Sequence, residues 1–215
     1  MRLIRQIALI TLLFTLSACS SLYYKGLEKI GIPKREVMVH RVEKARDTQE
    51  ETKQQFKSAL EQFTAVTNFK GGDLEATYKK LNSEYEASVQ KADEVKKRIA
   101  DIEDVSTALF DEWETELTQY SNASLRQNSQ QKLTATKAQY AQLIAAMKRA
   151  EAKIAPVLTV FHDQVLYLKH NLNAQAIASL KGQLGSVQSD VSALVAAMEK
   201  SINEADAFIK TMEKP

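Results

Sequence analysis

The sequence predicts an all-α protein: an elongated, antiparallel up-down helical bundle, coiled-coil-like, of about four long helices with a kink near Pro156. Three observations predict it. Six glycines and three prolines in 215 residues are too few for a loop-rich sandwich or barrel, and Ala, Glu, Lys, Gln, Leu and Ser dominate, as they do in long helices. Apolar residues recur at alternating steps of four and three in four successive segments, the heptad signal of helices packed along their length. Two blocks of opposite charge fall where an antiparallel hairpin brings them face to face. The core is narrow, because only seven Phe, seven Tyr and one Trp are present to fill it.

Pro33 suits the first turn of helix A, where its missing N–H needs no partner. Helix A carries Met38, Val42, Ala45, Gln49, Thr52, Phe56, Ala59, Phe63 and Val66 on one stripe, polar in its middle. Lys70-Gly71-Gly72 ends it, and Asp73 is placed to cap helix B. Helix B carries Leu74, Tyr78, Leu81, Tyr85, Ser88, Ala92, Val95, Ile99, Ile102, Ser106, Leu109 and Trp113, then weakens at Tyr120-Ser121-Asn122. Helix C carries Leu133, Thr136, Tyr140, Leu143, Met147, Ala150, Ile154, Val157, Phe161, Gln164 and Leu168. Lys169 to Asn173 is the next break, since its two Asn residues favour caps and turns. Helix D carries Ile177, Leu180, Leu184, Val187, Val191, Leu194, Met198, Ser201, Ala205, Phe208 and Met212. Pro156 removes one backbone bond from helix C and crowds the preceding turn, so it kinks the helix or breaks it. Gly182 and Gly185 weaken helix D by up to about 1 kcal/mol each relative to Ala; they either allow a close helix approach or are merely tolerated.

Folding A onto B at Gly71 pairs residues 34 with 109 and 41 with 102. Lys25 to Arg46 holds seven basic and three acidic residues, and Asp101 to Glu116 holds seven acidic and no basic ones. The blocks therefore face each other, or else they are two separate solvated patches, or the basic amino-terminal segment lies beside anionic lipid. The A/B and C/D turns share one end of the bundle. The B/C hairpin lies at the other, beside the amino-terminal segment and the carboxy terminus. Helices B and C, at about 47 residues, extend roughly 70 Å at 1.5 Å per residue.

The amino terminus has a separate logic. Arg2 and Arg5 precede the apolar run Ile7 to Leu16, which is shorter than the roughly 20 residues a bilayer span needs and has the proportions of a signal-peptide core. Leu16-Ser17-Ala18-Cys19 follows and contains the only cysteine. It resembles the lipobox of bacterial lipoproteins, which implies cleavage before Cys19, a diacylglyceryl thioether on its sulfur and a palmitate-type acyl chain on its amine. The organisation expected is residues 1–18 as signal peptide, 19–32 as lipidated anchor and linker, and 33–215 as the bundle. More than one acyl chain gives a stable anchor where a single one is marginal. By the same resemblance Ser20, not being acidic, favours the inner leaflet of the outer membrane, facing the periplasm. The periplasmic face of the inner membrane is the alternative. Loss of Arg2 and Arg5 brings the 29 basic residues down to equal the 27 acidic ones, so the net field a nucleic-acid binder relies on is absent.

Candidate chemistry is sparse. His162, Asp163 and His170 are the nearest approach to a metal site, but Asp163 and His170 lie about 10 Å apart along a helix axis. Metal centres need several convergent ligands, so no metal or cofactor is expected. Glu112, Glu114 and Glu116 read as a solvated row. Lys70-Gly71-Gly72-Asp73 reads as a hairpin connector rather than an anion site, and Tyr78, Tyr85, Tyr120 and Tyr140 fall on core spacing. No nucleophile elbow, phosphate loop or dinucleotide fingerprint is present, and the protein is not expected to be an enzyme.

IGIPKREVMVHRVEKARDTQEETKQQF near the start of the mature chain and PVLTVFHDQVLYLKHNLNAQAIASLKGQL late in it resemble a Gram-negative envelope family known as a domain of unknown function (number 2959). The likeness covers nearly all of the mature chain. It implies a helical envelope protein and transfers no catalytic residue. A looser likeness is to the small heptad-repeat murein lipoprotein, whose terminal lysine is linked to peptidoglycan; here the sequence ends Glu213-Lys214-Pro215, which leaves that linkage in doubt. The function expected is a membrane-anchored, non-enzymatic scaffold or adaptor with an envelope protein partner or self-association. The alternatives are a small-molecule-binding or chaperone-like bundle with a groove near Pro156, and a hydrolase accessory factor or cryptic enzyme.

Overall fold

The computed structural model describes residues 23–213; the signal segment, Leu16-Ser17-Ala18-Cys19 and Lys214-Pro215 lie outside the described residues. The described chain opens in helix at residues 23–29 (α1). It continues as α2 (Lys34–Thr67), α3 (Leu74–Leu117), α4 (Ala123–Ala152), α5 (Ile154–His170) and α6 (Ala174–Glu213), with no strand among the described residues. Helix α2 packs on α3 and α6, and the α4–α5 pair packs on the other sides of α3 and α6. The result is a four-sided up-down bundle with α2 diagonal to α4–α5. Across that diagonal the rings of Phe63 and Phe161 meet edge to face, 6.1 Å between centroids, a geometry aromatic rings favour.

Local chemistry explains the ends. Gly71 and Gly72 take φ of 145° and 111°, values that disfavour any residue with a Cβ. An added Cβ would meet nothing within 4 Å at either position, so backbone conformation and not space requires glycine there. The Asp73 carboxylate accepts from the Ala76 N–H at 2.9 Å, Asn122 from Leu125 at 3.0 Å and Asn173 from Ala176 at 3.0 Å. Each caps an otherwise unpaired helix-start donor. Pro33 sits one position earlier than the sequence places it. It is the N-cap of α2, extended at ψ 151°, and its carbonyl accepts from Glu36 and Val37.

The third long helix is two helices on one path. Pro156 offers no N–H to the Ala152 carbonyl, and the helix is interrupted at Lys153, whose own N–H turns back to Ala150 at 3.1 Å. Lys153 keeps right-handed helical angles, and Ala150, Ile154, Val157 and Phe161 stay buried through the joint. The kink expected near Pro156 is therefore present as a single-residue break. Gly182 and Gly185 are exposed and no atom lies within 4 Å of a Cβ built on either. They mark no close helix approach and are merely tolerated.

Every α2 residue on the heptad stripe is buried, and the α6 stripe is buried except for the half-buried Ile177 and Leu184. Gln49 is the exception in kind. Both polar atoms of its amide are buried without a partner, as is the Ser201 hydroxyl. The ion pairs Arg46–Asp206 at 3.1 Å and Lys53–Glu199 at 3.8 Å bracket these two residues on α2 and α6, so they share one level of the core. An unsatisfied buried amide costs about 1–3 kcal/mol. Gln49→Met is therefore expected to raise stability by about that amount, read as a higher urea midpoint at unchanged slope; a lower midpoint would mean that water satisfies the amide.

Candidate functional site at the open end of the bundle

The helices do not finish together. Lys34, the first residue of α2, meets Glu112 at 2.7 Å. The Arg46–Asp206 pair sets the register of α6, which puts Glu213 opposite about residue 39. Helix α3 runs on to Leu117 and α4 starts at Ala123, so their hairpin projects past both neighbours. The Trp113 indole N–H donates to the Ser129 hydroxyl at 2.8 Å and Lys137 pairs with Glu114, which tie the projection together. Tyr120 and Leu125 near its tip are exposed. Tyr120 thus departs from the core role its spacing predicts, whereas Tyr78, Tyr85 and Tyr140 are packed half-buried against the core.

Under this overhang, where the described part of α6 has ended, is a cavity of about 630 Å³. Its walls come from α2, α3, α4 and α6. Leu109, Trp113, Ala135 and Met212 supply apolar surface, and Lys34, Arg35, Glu112, Glu116 and Lys132 supply charge. Ala135 and Pro156 are separated by 21 residues of helix, roughly 30 Å at 1.5 Å per residue. The concavity therefore lies far from the groove expected at Pro156.

The amino-terminal helix closes onto the same end. Tyr24 is fully buried. Its hydroxyl donates to Asp104 at 2.5 Å and accepts from Arg41 at 2.6 Å. Arg41 also donates to the Asp101 carbonyl at 2.5 Å. Burial, reinforced by the bond to Asp104, pushes the Tyr24 hydroxyl well above its ordinary pKa. Lys34 bridges Glu28 of α1 and Glu112 of α3. Burial pulls the Lys34 ammonium down, but the bonds from Glu112 and Glu28 outweigh it and the net shift is upward. The Lys34 bond holds Glu28 below the usual carboxylate range, while burial raises Glu112. Residues 23–32, which the sequence reading groups with the anchor and linker, are thus helix and connector bonded into the bundle.

A smaller cleft of about 230 Å³ lies one step further along the α2/α3 groove, lined by His40, Arg41, Lys44, Arg98 and Asp101. The Arg98 Nε is buried with no partner, and its Nη1 is 3.8 Å from Asp101. The other candidates from sequence are dispersed. His162 lies 3.6 Å from Asp163 and beside the Tyr85 ring, both partners of the pair well exposed, and His170 ends α5. No group of three or more His, Cys, Asp or Glu gathers around a common point among the described residues. The acidic row is divided between Lys34 on Glu112, Lys137 on Glu114 and the cavity rim at Glu116. Neither the cavity nor the Tyr24 clamp was named by sequence reasoning. The available signal for the clamp was Tyr24 and Leu27 with Glu28, an inward face one helical turn long.

These features define an all-α up-down bundle with an amino-terminal helix clamped to its α2/α3 face and a cavity at its open end. The chain belongs to the family described as protein of unknown function (DUF2959), which matches residues 23–212 and so takes in α1 together with the bundle. No curated protein and no solved structure matches it.

Breaking the Lys34 bridge tests the clamp. Lys34→Met leaves two carboxylates facing each other, and because both are about one-third exposed the loss is discounted from buried-pair values to about 1–3 kcal/mol. Without the cation the Glu112 carboxyl, already raised by burial and by its bond with Glu28, stands further above its unfolded value. The deficit is therefore full near neutral pH and shrinks as pH falls through about 4–5. Urea unfolding across that range, with faster amide exchange over residues 24–30, is the expected result.

Proposed function

We propose that the protein is a lipid-anchored periplasmic module of the cell envelope, a non-enzymatic scaffold or adaptor that engages its partner at the open end of the bundle. The observation that carries this reading is the projecting α3/α4 hairpin with its apolar cavity, on the same end as the amino-terminal helix. A concave apolar site with a charged rim offers a partner side chain a buried anchor and a polar surround, the usual division of labour at interfaces. The lipobox at Leu16 to Cys19 supports the membrane attachment, and Ser20 supports the inner leaflet of the outer membrane. Under this reading the partner is another envelope protein or a second copy of the chain, with no cofactor and no nucleic acid involved.

A second reading rests on the cavity itself. At about 630 Å³ it falls within the roughly 300–1,000 Å³ of small-molecule sites, so a periplasmic small-molecule-binding role uses the same end of the molecule. Trp113, the sole tryptophan, lines it and reports on occupancy through its emission.

Two experiments separate these ideas. A photoreactive side chain at Lys132, in cells, is expected to give one discrete protein adduct, while the same group at Gly185 gives none; adducts from Gly185 alone would place the contact elsewhere. A small-molecule role predicts instead a bound species in native mass spectra that is lost on Ala135→Trp. Cys19→Ala is expected to remove the protein from membrane fractions or leave it unprocessed. A normal mature mass with unchanged membrane association would sink the anchor.

A further inference from the structure

Helix α1 has the wrong outer face for a helix in water. Its inner face is Tyr24, Leu27 and Glu28, all engaged with the bundle. The opposite face should be polar. Instead Tyr23, its first residue, is 53% exposed and Ile30, in the turn that follows it, is 72% exposed, with Ile32 exposed just beyond. Lys25 and Lys29 of the same short helix are exposed. Large apolar side chains beside lysines are the pattern of a helix lying in a membrane interface, rings and aliphatics inserted and ammonium groups at headgroup level.

The basic cleft continues this surface. Tyr24 bonds Arg41 and Asp104, so the cleft of His40, Arg41, Lys44 and Arg98 begins where α1 begins. Most nearby acids are engaged: Asp104 by Tyr24 and Arg41, and Glu43 by His40 at 3.7 Å. Asp101 is the one carboxylate among the cleft's four basic side chains. The buried Arg98 Nε has no protein partner, and the residue lines the cleft. Phosphate oxygens satisfy such donors better than any neutral group. The reach is also right. Cys19 precedes Tyr23 by four residues, at most about 14 Å of extended chain, so an acylated Cys19 holds this flank against the bilayer and not at a distance from it.

We propose that the α1 flank is a lipid-facing surface, on which Tyr23 and Ile30 enter the bilayer interface while the Arg41–Lys44–Arg98 cleft receives a headgroup phosphate of an anionic phospholipid. The proposal rests on the lipid anchor above and adds to it an orientation and a lipid preference.

The test uses the full chain, expressed with its signal, recovered from membranes and reconstituted into vesicles of phosphatidylethanolamine with phosphatidylglycerol. With Cys19 acylated, Ile30→Cys supplies the one thiol for a fluorophore, and a lipid-borne nitroxide reports its depth. Strong quenching is expected, several-fold weaker in phosphatidylcholine alone, and none for a label at Gly185→Cys. Lys25→Glu with Lys44→Glu, both on exposed positions, should cut the quenching several-fold with helicity and flotation unchanged. Arg98→Gln should remove the preference for phosphatidylglycerol. Protein that floats with an unquenched Ile30 label overturns this inference alone. Quenching indifferent to both lipid charge and the lysine reversals overturns the phosphate site. Protein that fails to float overturns the anchor and this inference together. Glycerol phosphate in solution abolishing the preference without lipid contact at Ile30 would assign the cleft to a free phosphate ester and overturn the lipid-facing surface.

Discussion

The register of α2 on α3 governs everything at the open end. The two positive-φ glycines at 71 and 72 let the chain reverse within a few residues, and Asp73 starts the return helix at once. From that pivot the pairing is coherent to the far end. Gln55 donates to Glu84 and Lys91 pairs with Glu51 in the middle of the hairpin, and Lys34 reaches Glu112 at its far end. An exposed pair such as Lys91–Glu51 contributes only about 0–1 kcal/mol, and the more buried Lys34 bridge somewhat more. Their role is to select the register; burial of Met38, Val42, Phe56, Phe63 and their partners holds it. A one-residue slip would turn the α2 stripe by about 100° and set Arg41 and Lys34 away from their acids.

That register also produces the cavity. Helix α3 is 44 residues long and α2 is 34, so a hairpin matched at its turn must overhang at its other end. Helix α4 pairs with the overhang through Trp113–Ser129 and Lys137–Glu114. Helix α6, placed by Arg46–Asp206, stops opposite about residue 39 over the described residues. The space under the overhang lies where three helices continue past the last described residue of the fourth. Its apolar lining follows, because Leu109 and Trp113 lie on the same stripe of α3 that faces the core lower down.

The sequence was legible where structure is local or periodic. Asp73, Asn122 and Asn173 act as caps because a short side-chain acceptor at a helix start needs no distant partner. The α2 stripe was readable in full because α2 uses one seam. Helix α3 was readable only in part: Val105, Phe110 and Leu117 are also buried, since α3 faces α2 on one side and α4–α5 on another. A heptad seam of two positions in seven undercounts such a helix, whose buried stripe is nearer three in seven. Charge blocks told that Lys34 and Arg41 meet the acidic part of α3. They did not tell that Tyr24 inserts between Arg41 and Asp104, nor that Glu28 shares Lys34. Tyr120 misled because its spacing continues the stripe past the point where α2 and α6 stop offering a partner surface. The cavity had no sequence signature, since it depends on where four ends fall relative to one another.

Helix α1 changes what attachment means for this molecule. A flexible linker would absorb any tilt between bundle and membrane. Here Tyr23 already belongs to α1, and Tyr24 is bonded through Arg41 and Asp104 to both helices of the central hairpin. In the proposed anchoring only three residues separate Cys19 from Tyr23, and the membrane sets the orientation of α2 and α3. From Asp104 to Trp113 is nine residues of α3, about 13 Å along the axis. Under that proposal the open end would lie close to the anchored flank, which would favour partners at the membrane surface over those deep in the periplasm. The same rigidity couples α1 to the cavity. Lys34 joins α1 to the cavity wall through Glu28 and Glu112, so displacement of α1 alters a cavity-lining side chain directly, with no longer path required.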